Sequence, residues 1–143
     1  MLVHYRLGEA KETLEEARLL ARESRWRGAL NRVYYARFYA TLALLAVRQL
    51  ASSRHSGVIA LLHREFVRPG LFARAWARCL GIAFNLRNRS DYQDFIAPDV
   101  VQVEELVEAA ESFITAAERL SQQLLAQQNE SDRCRMPGRY WIS

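Results

Sequence analysis

Leu7, Ala10, Leu14, Ala17 and Ala21 recur at intervals of three or four, with Glu and Lys between them. That spacing lays one apolar stripe along a helix over residues 3–24. After a short break at Ser24 to Trp26 the pattern changes. From about Arg27 to Leu50 aliphatic and aromatic residues point nearly all ways round the cylinder, which predicts a buried central helix. Ser52-Ser53 marks the next break, with Ser53 or Ser56 as N-cap of a third helix over 56–67. Arg68-Pro69-Gly70 must stop that helix. A fourth runs from about 72 to 90. Pro98 disfavours helix at Ala97, so Asp91 to Pro98 reads as a loop. Asp99 then caps a fifth helix that continues to about Gln127. There is no period-2 alternation and no internal repeat. Residues 128–143 are polar and broken by Pro137-Gly138, which predicts a mobile tail whose Tyr140-Trp141-Ile142 end docks on the domain or on a partner. Short loops between long helices make antiparallel neighbours. The expected fold is all-α: an up-and-down bundle of about five helices in a single domain, residues 1–127, followed by the tail 128–143.

Composition agrees with this picture and sharpens it in one respect. A chain of 143 residues suffices for one domain with a real core and not for two. Half its residues are apolar and 25% are charged, ordinary for a globular protein. Cys79 falls in an apolar helical pattern and reads as a small core residue, whereas Cys134 lies in the polar tail. Nothing suggests a disulfide framework, so a reducing compartment fits best. The N-terminus lacks the charged, apolar and small-residue regions of a signal peptide. The longest apolar run, around Ala40 to Val47, is too short to span a membrane. The expectation is a cytoplasmic protein without membrane contact.

The sharper point is charge. The net +4 conceals a strong asymmetry: residues 25–90 hold twelve arginines, no lysine and one acid, Glu65. Residues 1–24 sum to −1 and residues 91–143 to −6. Clustered arginine is the footprint expected for a phosphate backbone. The same arginines could instead pair with the acidic last helix, solvate the surface, or reflect a GC-rich genome.

Candidate chemistry concentrates at the end of the fourth helix, in Phe84-Asn85-Leu86-Arg87-Asn88-Arg89-Ser90-Asp91-Tyr92. On a helix Arg87 and Asp91 share a face, and Tyr92 lies just round the cylinder. A guanidinium can hold phosphate with two hydrogen bonds, and a phenol can hold or pass a proton. The cluster suits phosphate chemistry, with Arg89 nearby. It equally suits a salt bridge that closes a helix end. His55 follows Arg54 at the start of the third helix, where unpaired backbone N–H groups favour anions, or it is a capping or surface histidine. His63 reads as a partly buried packing residue, and His4 carries no signal. Asn31 and Tyr35 are four apart on the central helix; they line a cleft or are hydrogen-bonded core residues. Tyr34, Tyr35, Phe38 and Tyr39 read as packing rather than a base-stacking platform, and Trp26 and Trp76 as anchors of the bundle or of a dimer contact. Histidines and cysteines this scattered make no zinc site, and no cofactor is indicated. The chain has no Gly-rich phosphate loop, no Ser/His/Asp order and no HExxH or CxxC motif, which argues against a conventional hydrolase, kinase or redox enzyme.

Three pieces in register carry a resemblance. Asn31-Arg32-Val33-Tyr34-Tyr35-Ala36 leads into Ala40-Thr41-Leu42-Ala43-Leu44-Leu45; Arg54-His55-Ser56-Gly57-Val58 follows, and then Arg87-x-x-x-Asp91-Tyr92. In that order and at those distances, roughly residues 3 to 125 resemble a HEPN domain, of the branch found beside minimal nucleotidyltransferases in prokaryotic toxin–antitoxin pairs. In HEPN nucleases an arginine is followed four to six residues later by a histidine, and the pair acts in metal-free RNA cleavage at a symmetric dimer interface. Arg87 matches the arginine, but the residue five positions on is Tyr92. Histidine titrates near neutrality and can serve as acid and base. An unperturbed tyrosine, with a pKa of about 10, is a poor base at pH 7. Asp91 is weak too unless burial raises its pKa. His55 could replace the missing histidine if the fold brings it near Arg87. The resemblance implies a homodimer, a nucleotidyltransferase antitoxin as partner, and RNA or nucleotide as ligand, with Arg87, Asp91 and Tyr92 as catalytic candidates and Asn31, Tyr35, Arg54, His55 and Arg89 as binding candidates. It also marks Tyr92 as a modification site. Two functions remain open: a HEPN-type toxin with metal-independent ribonuclease activity, intact or degenerate, or a non-catalytic helical dimer that binds nucleotide, RNA or the partner enzyme.

Overall fold

The computed structural model describes residues 1–89 and 100–135, with the side chains of 82, 83, 85–89 and 100 left out. The expected loop at Asp91 to Pro98, the Asp99 cap and the Tyr140-Trp141-Ile142 end lie outside the described residues. Five helices appear: α1 (Leu2–Arg22), α2 (Trp26–Val47), α3 (His55–Leu62), α4 (Arg74–Arg89) and α5 (Val100–Cys134). No strand occurs among the described residues. The all-α reading therefore holds.

The centre of the bundle is α2, which packs against α1, α5, α4 and α3. Its apolar residues face inward on several sides at once, with Val33, Tyr34, Leu44, Leu45 and Val47 all buried. Close approach depends on alanine. Ala10 and Ala17 of α1, Ala36, Ala40 and Ala43 of α2, and Ala110 and Ala117 of α5 are fully buried. Small side chains let helix backbones lie close, so larger neighbours such as Phe113 can fill the space between layers. Ion pairs Arg18–Glu111 at 2.7 Å and Lys11–Glu118 at 2.5 Å tie α1 to α5 at the surface.

Two helix ends fall earlier than their apolar patterns. The chain leaves α1 through Ser24 (φ 56°) and α2 through Gln49 (φ 57°), both left-handed. In each case two backbone bonds close the end: Arg25 N–H donates to Leu20 O at 2.8 Å and Ser24 N–H to Ala21 O at 3.1 Å. Leu50 N–H likewise donates to Leu45 O at 2.9 Å and Gln49 N–H to Ala46 O at 3.1 Å. This is the Schellman closure, which usually selects glycine. Sequence reading missed it because neither position is glycine.

The third helix ends where Pro69-Gly70 requires, but its last turn, His63–Val67, widens into a π-helix. Arg48 rests on the Phe66 ring at 5.1 Å and pairs with Glu65 at 3.7 Å, which holds that turn against the end of α2. Gly70 (φ 81°) then reverses the chain. Phe72 and Trp76 meet Phe113 of α5 edge-on, at 5.4 and 6.5 Å, and so set the start of α4. Trp26 and Trp76 are half-buried against the core, as is Cys79, which is less buried than a core cysteine. His63 is half-buried, as its position in the apolar pattern implied.

At the other end α5 continues past the expected stop near Gln127 to Cys134. No proline precedes Pro137 in that stretch, and Gln128 Nε2 donates to Val47 O at 3.3 Å, anchoring the extension to the end of α2.

The left-handed non-glycine ends generate a stability test. Gln49→Gly removes the steric cost of a Cβ at positive φ and should raise stability by roughly 0.5–1 kcal/mol. Urea unfolding measures it; an unchanged or lower midpoint would contradict the strain.

Candidate functional site

Asn31, Tyr34, Tyr35 and Phe38 fall at helical intervals on one side of α2. Across from them the chain enters α3 at His55. Tyr34 is 1% exposed, so its hydroxyl needs a partner inside the protein. His55 supplies it: Tyr34 Oη and His55 Nδ1 are 2.9 Å apart. The imidazole stacks on Phe38 with centroids 4.2 Å apart and an interplanar angle of 27°. Tyr35 meets it edge-on at 5.9 Å, and Phe84 of α4 closes the box at 6.2 Å. His55 is thus a half-buried histidine held on several sides, neither a cap nor a surface residue.

Local backbone chemistry aims it. The N-cap of α3 is Arg54, with no side-chain cap, in place of the expected Ser53 or Ser56. Ser52 Oγ instead accepts from Arg54 N–H at 3.3 Å. A Cβ on Gly57 would come within 2.1 Å of that Oγ. A side chain at 57 would push the Ser52 hydroxyl off its bond with Arg54 N–H, so glycine here preserves the entry that sets His55 against Phe38.

Arg32 joins Asn31 to Tyr35. Its Nη2 and Nε donate to Asn31 Oδ1 at 2.9 and 3.3 Å, and its guanidinium lies over the Tyr35 ring at 5.2 Å. Arg37, one turn beyond Tyr34, is buried and lies near Cys79 of α4. Burial lowers its pKa, partly offset by the Cys79 sulfur.

The structure thus brings together Asn31, Tyr35 and His55 from the predicted set, with exposed Arg54 beside His55. Phe84 beside Tyr34 and Cys79 beside Arg37 make α4 antiparallel to α2. Arg87 lies three residues past Phe84, so the α4 backbone carries it toward the level of Asn31, about 4.5 Å farther along the axis. Arg89 ends the same helix; the side chains of both are outside the description, and Asp91 and Tyr92 lie wholly outside the described residues. Sequence reading took Tyr34 and Phe38 for packing and gave Arg32, Arg37 and Phe84 no role. A tyrosine on a helix buried all round, which must find a hydrogen-bond partner, was the available signal for Tyr34.

Among the described residues the arginine-rich middle is not neutralised by the last helix: no arginine of that stretch pairs with an acid of α5, and its ion pairs are Arg32–Glu16, Arg48–Glu65 and Arg64–Glu65. Arg25, Arg27, Arg54, Arg68, Arg74 and Arg78 are exposed and unpaired. No group of three His, Cys, Asp or Glu side chains gathers among the described residues, and no described helix is long and apolar enough to cross a membrane.

The model of the HEPN domain family matches residues 3–120. The chain belongs to the HEPN family. A UPF0332 protein of Thermotoga maritima is 35% identical over 123 residues, covering 86% of this chain and 93% of that protein. Two proteins of Methanocaldococcus jannaschii, each named as a candidate toxin, are also similar. One is 30% identical over 116 residues, 81% of this chain and 86% of that protein. The other is 24% identical over 127 residues, with 87% and 86% covered.

The Tyr34–His55 bond predicts energetic coupling. A double-mutant cycle with Tyr34→Phe and His55→Leu should give a coupling energy of about 1 kcal/mol in urea unfolding. Additive losses would show that the two side chains stabilise the bundle independently.

Proposed function

We propose that this HEPN protein is a toxin-like RNA-acting protein, a metal-independent endoribonuclease restrained by a nucleotidyltransferase partner. The observation that carries the reading is His55, bonded to Tyr34 and in ring contact with Phe84, which lies three residues before Arg87 on α4. This supports a histidine that works with the family's arginine in place of the one Tyr92 displaces. The relatives named as toxins support the same class.

In this reading Arg87 grips two oxygens of a phosphodiester. His55 is held by the contact of its Nδ1 with Tyr34 Oη, and its imidazole is the proposed base. The imidazole takes the proton of a ribose 2′-hydroxyl, whose oxygen attacks the adjacent phosphorus. The bond to the 5′-oxygen breaks, that oxygen leaves as a hydroxyl by taking a proton from the imidazolium or from water, and a 2′,3′-cyclic phosphate remains. Asp91 is the alternative base. Arg54 and the other exposed arginines track the RNA backbone together with Arg89, and Asn31 with Tyr35 lines the entrance. A two-fold homodimer doubles this basic face. The unpaired arginines also favour the second reading, a dimer that binds nucleotide or RNA without cleaving it.

Arg87→Lys should abolish growth inhibition and RNA cleavage as fully as Arg87→Ala, because lysine keeps the charge and loses the fork. His55→Gln should slow cleavage by roughly 100-fold or more. Growth and gel assays with helicity checked by circular dichroism decide. Full activity in both Arg87 variants sinks the site, and RNA binding without cleavage selects the second reading.

Control is assigned to Tyr92. Its phenol oxygen attacks the α-phosphorus of a nucleoside triphosphate, the proton passes to base and pyrophosphate leaves. The added nucleotide puts negative charge on the arginine cluster and blocks phosphate entry. Incubation with a cognate nucleotidyltransferase and ATP should add nucleotide mass to Tyr92. An equal gain in Tyr92→Phe would refute the assignment.

A further inference from the structure

Arg37 plays no part in that reading, yet its burial poses an electrostatic problem the chain does not solve. The residue is 3% exposed, and its Nε is sealed from solvent with no hydrogen-bond partner. Its guanidinium has no ion pair or hydrogen bond among the described residues. An arginine stays charged at any ordinary pH, even with its pKa lowered by burial. A buried cation without a counter-charge is costly, and an anion that meets it removes much of that cost.

The surrounding elements offer no anion. α2, α3 and α4 contain no acidic residue, and none occurs between Glu65 and Asp91. Glu65 is committed to Arg48 and Arg64. The acids of α5 that form ion pairs, Glu111 and Glu118, are held by α1. Cys79 of α4 acts on Arg37 and raises its pKa against the larger effect of burial, but a thiol is no match for a full positive charge. A guanidinium fork that no carboxylate meets suits a phosphate, which it can hold through two hydrogen bonds.

We propose that Arg37 is an oxyanion-binding residue that takes a phosphate group on the α4 side of α2, as inorganic phosphate, in a nucleotide or in an RNA backbone. The proposal stands apart from the RNA-cleavage reading: inactive Arg87 variants would leave it intact.

Thermal unfolding of the full chain tests it at constant ionic strength, with chloride as the reference and inorganic phosphate, AMP and a short single-stranded RNA as separate probes. A ligand that binds only the native state raises the melting temperature, by roughly 5 °C or more at a hundred-fold excess over its Kd. Wild-type protein should show that rise with at least one probe, and the probe giving the largest rise identifies the source of the phosphate. Arg37→Met fills the same space without charge. It should melt at or above wild type in chloride and lose the rise, while Arg37→Lys keeps only part of it. A rise of equal size in Arg37→Met places the anion elsewhere and overturns the proposal, as does no rise with any probe in wild type. Should Arg37→Met fail to fold, the Arg37 Nε–H resonance of wild-type protein decides. Movement on adding phosphate supports the site, and an unmoved resonance overturns it.

Discussion

Everything in this bundle answers to the burial of α2. A helix enclosed by α1, α3, α4 and α5 has little water beside it, so each polar group it carries must find a partner within the protein or bring one from outside. Thr41 resolves its hydroxyl locally, donating to Arg37 O at 2.9 Å. Tyr34 cannot, because its ring carries the hydroxyl away from its own helix, and it reaches α3 to meet His55. Arg32 escapes toward the edge, where Asn31 and the Tyr35 ring receive it. Arg37 has no ion pair and no side-chain hydrogen bond among the described residues. The elements that could have supplied an acid are the same ones that make the middle of the chain basic.

That constraint explains why the aromatic box is so closely specified. The Tyr34 hydroxyl needs an acceptor or donor at one point in space, and the first residue of α3 provides it only if the chain turns sharply out of α2. Gln49 ends the helix in a left-handed turn, Ser52 holds the Arg54 amide, and Gly57 leaves room for the Ser52 side chain. The motif Arg54-His55-Ser56-Gly57 is thus a positioning device, in which the glycine serves the histidine through a serine that lies before both. Deleting the hydroxyl of Tyr34 or adding a methyl group at Gly57 should disturb the same imidazole from opposite sides.

Much of the fold was legible in the chain because helix periodicity and breakers are local signals. The five helices, the stop at Pro69-Gly70 and the buried character of α2 could be read from spacing alone. The Schellman ends at Ser24 and Gln49 could not, since their signal is normally a glycine that neither position has. The reach of α5 to Cys134 depends partly on Gln128 bonding a carbonyl of α2, a contact invisible to a periodic pattern. Of the candidate site, Asn31, Tyr35 and His55 were named from residue type and order. Their connection through Arg32, Tyr34 and Phe38 needed three dimensions, because α3 meets α2 only after a turn whose direction the sequence does not state. Arg37 was one of twelve arginines read together as a phosphate-binding footprint; no spacing rule separates the one that points inward from those that do not.

The distribution of ion pairs divides the molecule into two electrical regions with different work. α1 and α5 use their opposite charges on each other, Arg18 with Glu111 and Lys11 with Glu118, and these exposed pairs are worth little individually while helping to register the two helices. The other region is built from residues 25–89, where acid is nearly absent. Arginines at the start of α2, at the entrance to α3 and on α4 have no partner within the described chain, so their field is not cancelled at short range. Mutual repulsion makes such a cluster a standing cost to folding, tolerable because α2 buries so much apolar surface around it. A surface that retains uncompensated positive charge, beside a box of aromatic rings and a histidine, is matched to a ligand that is both anionic and planar. In the proposed function, negative charge added at Tyr92 would act on several of these arginines at once.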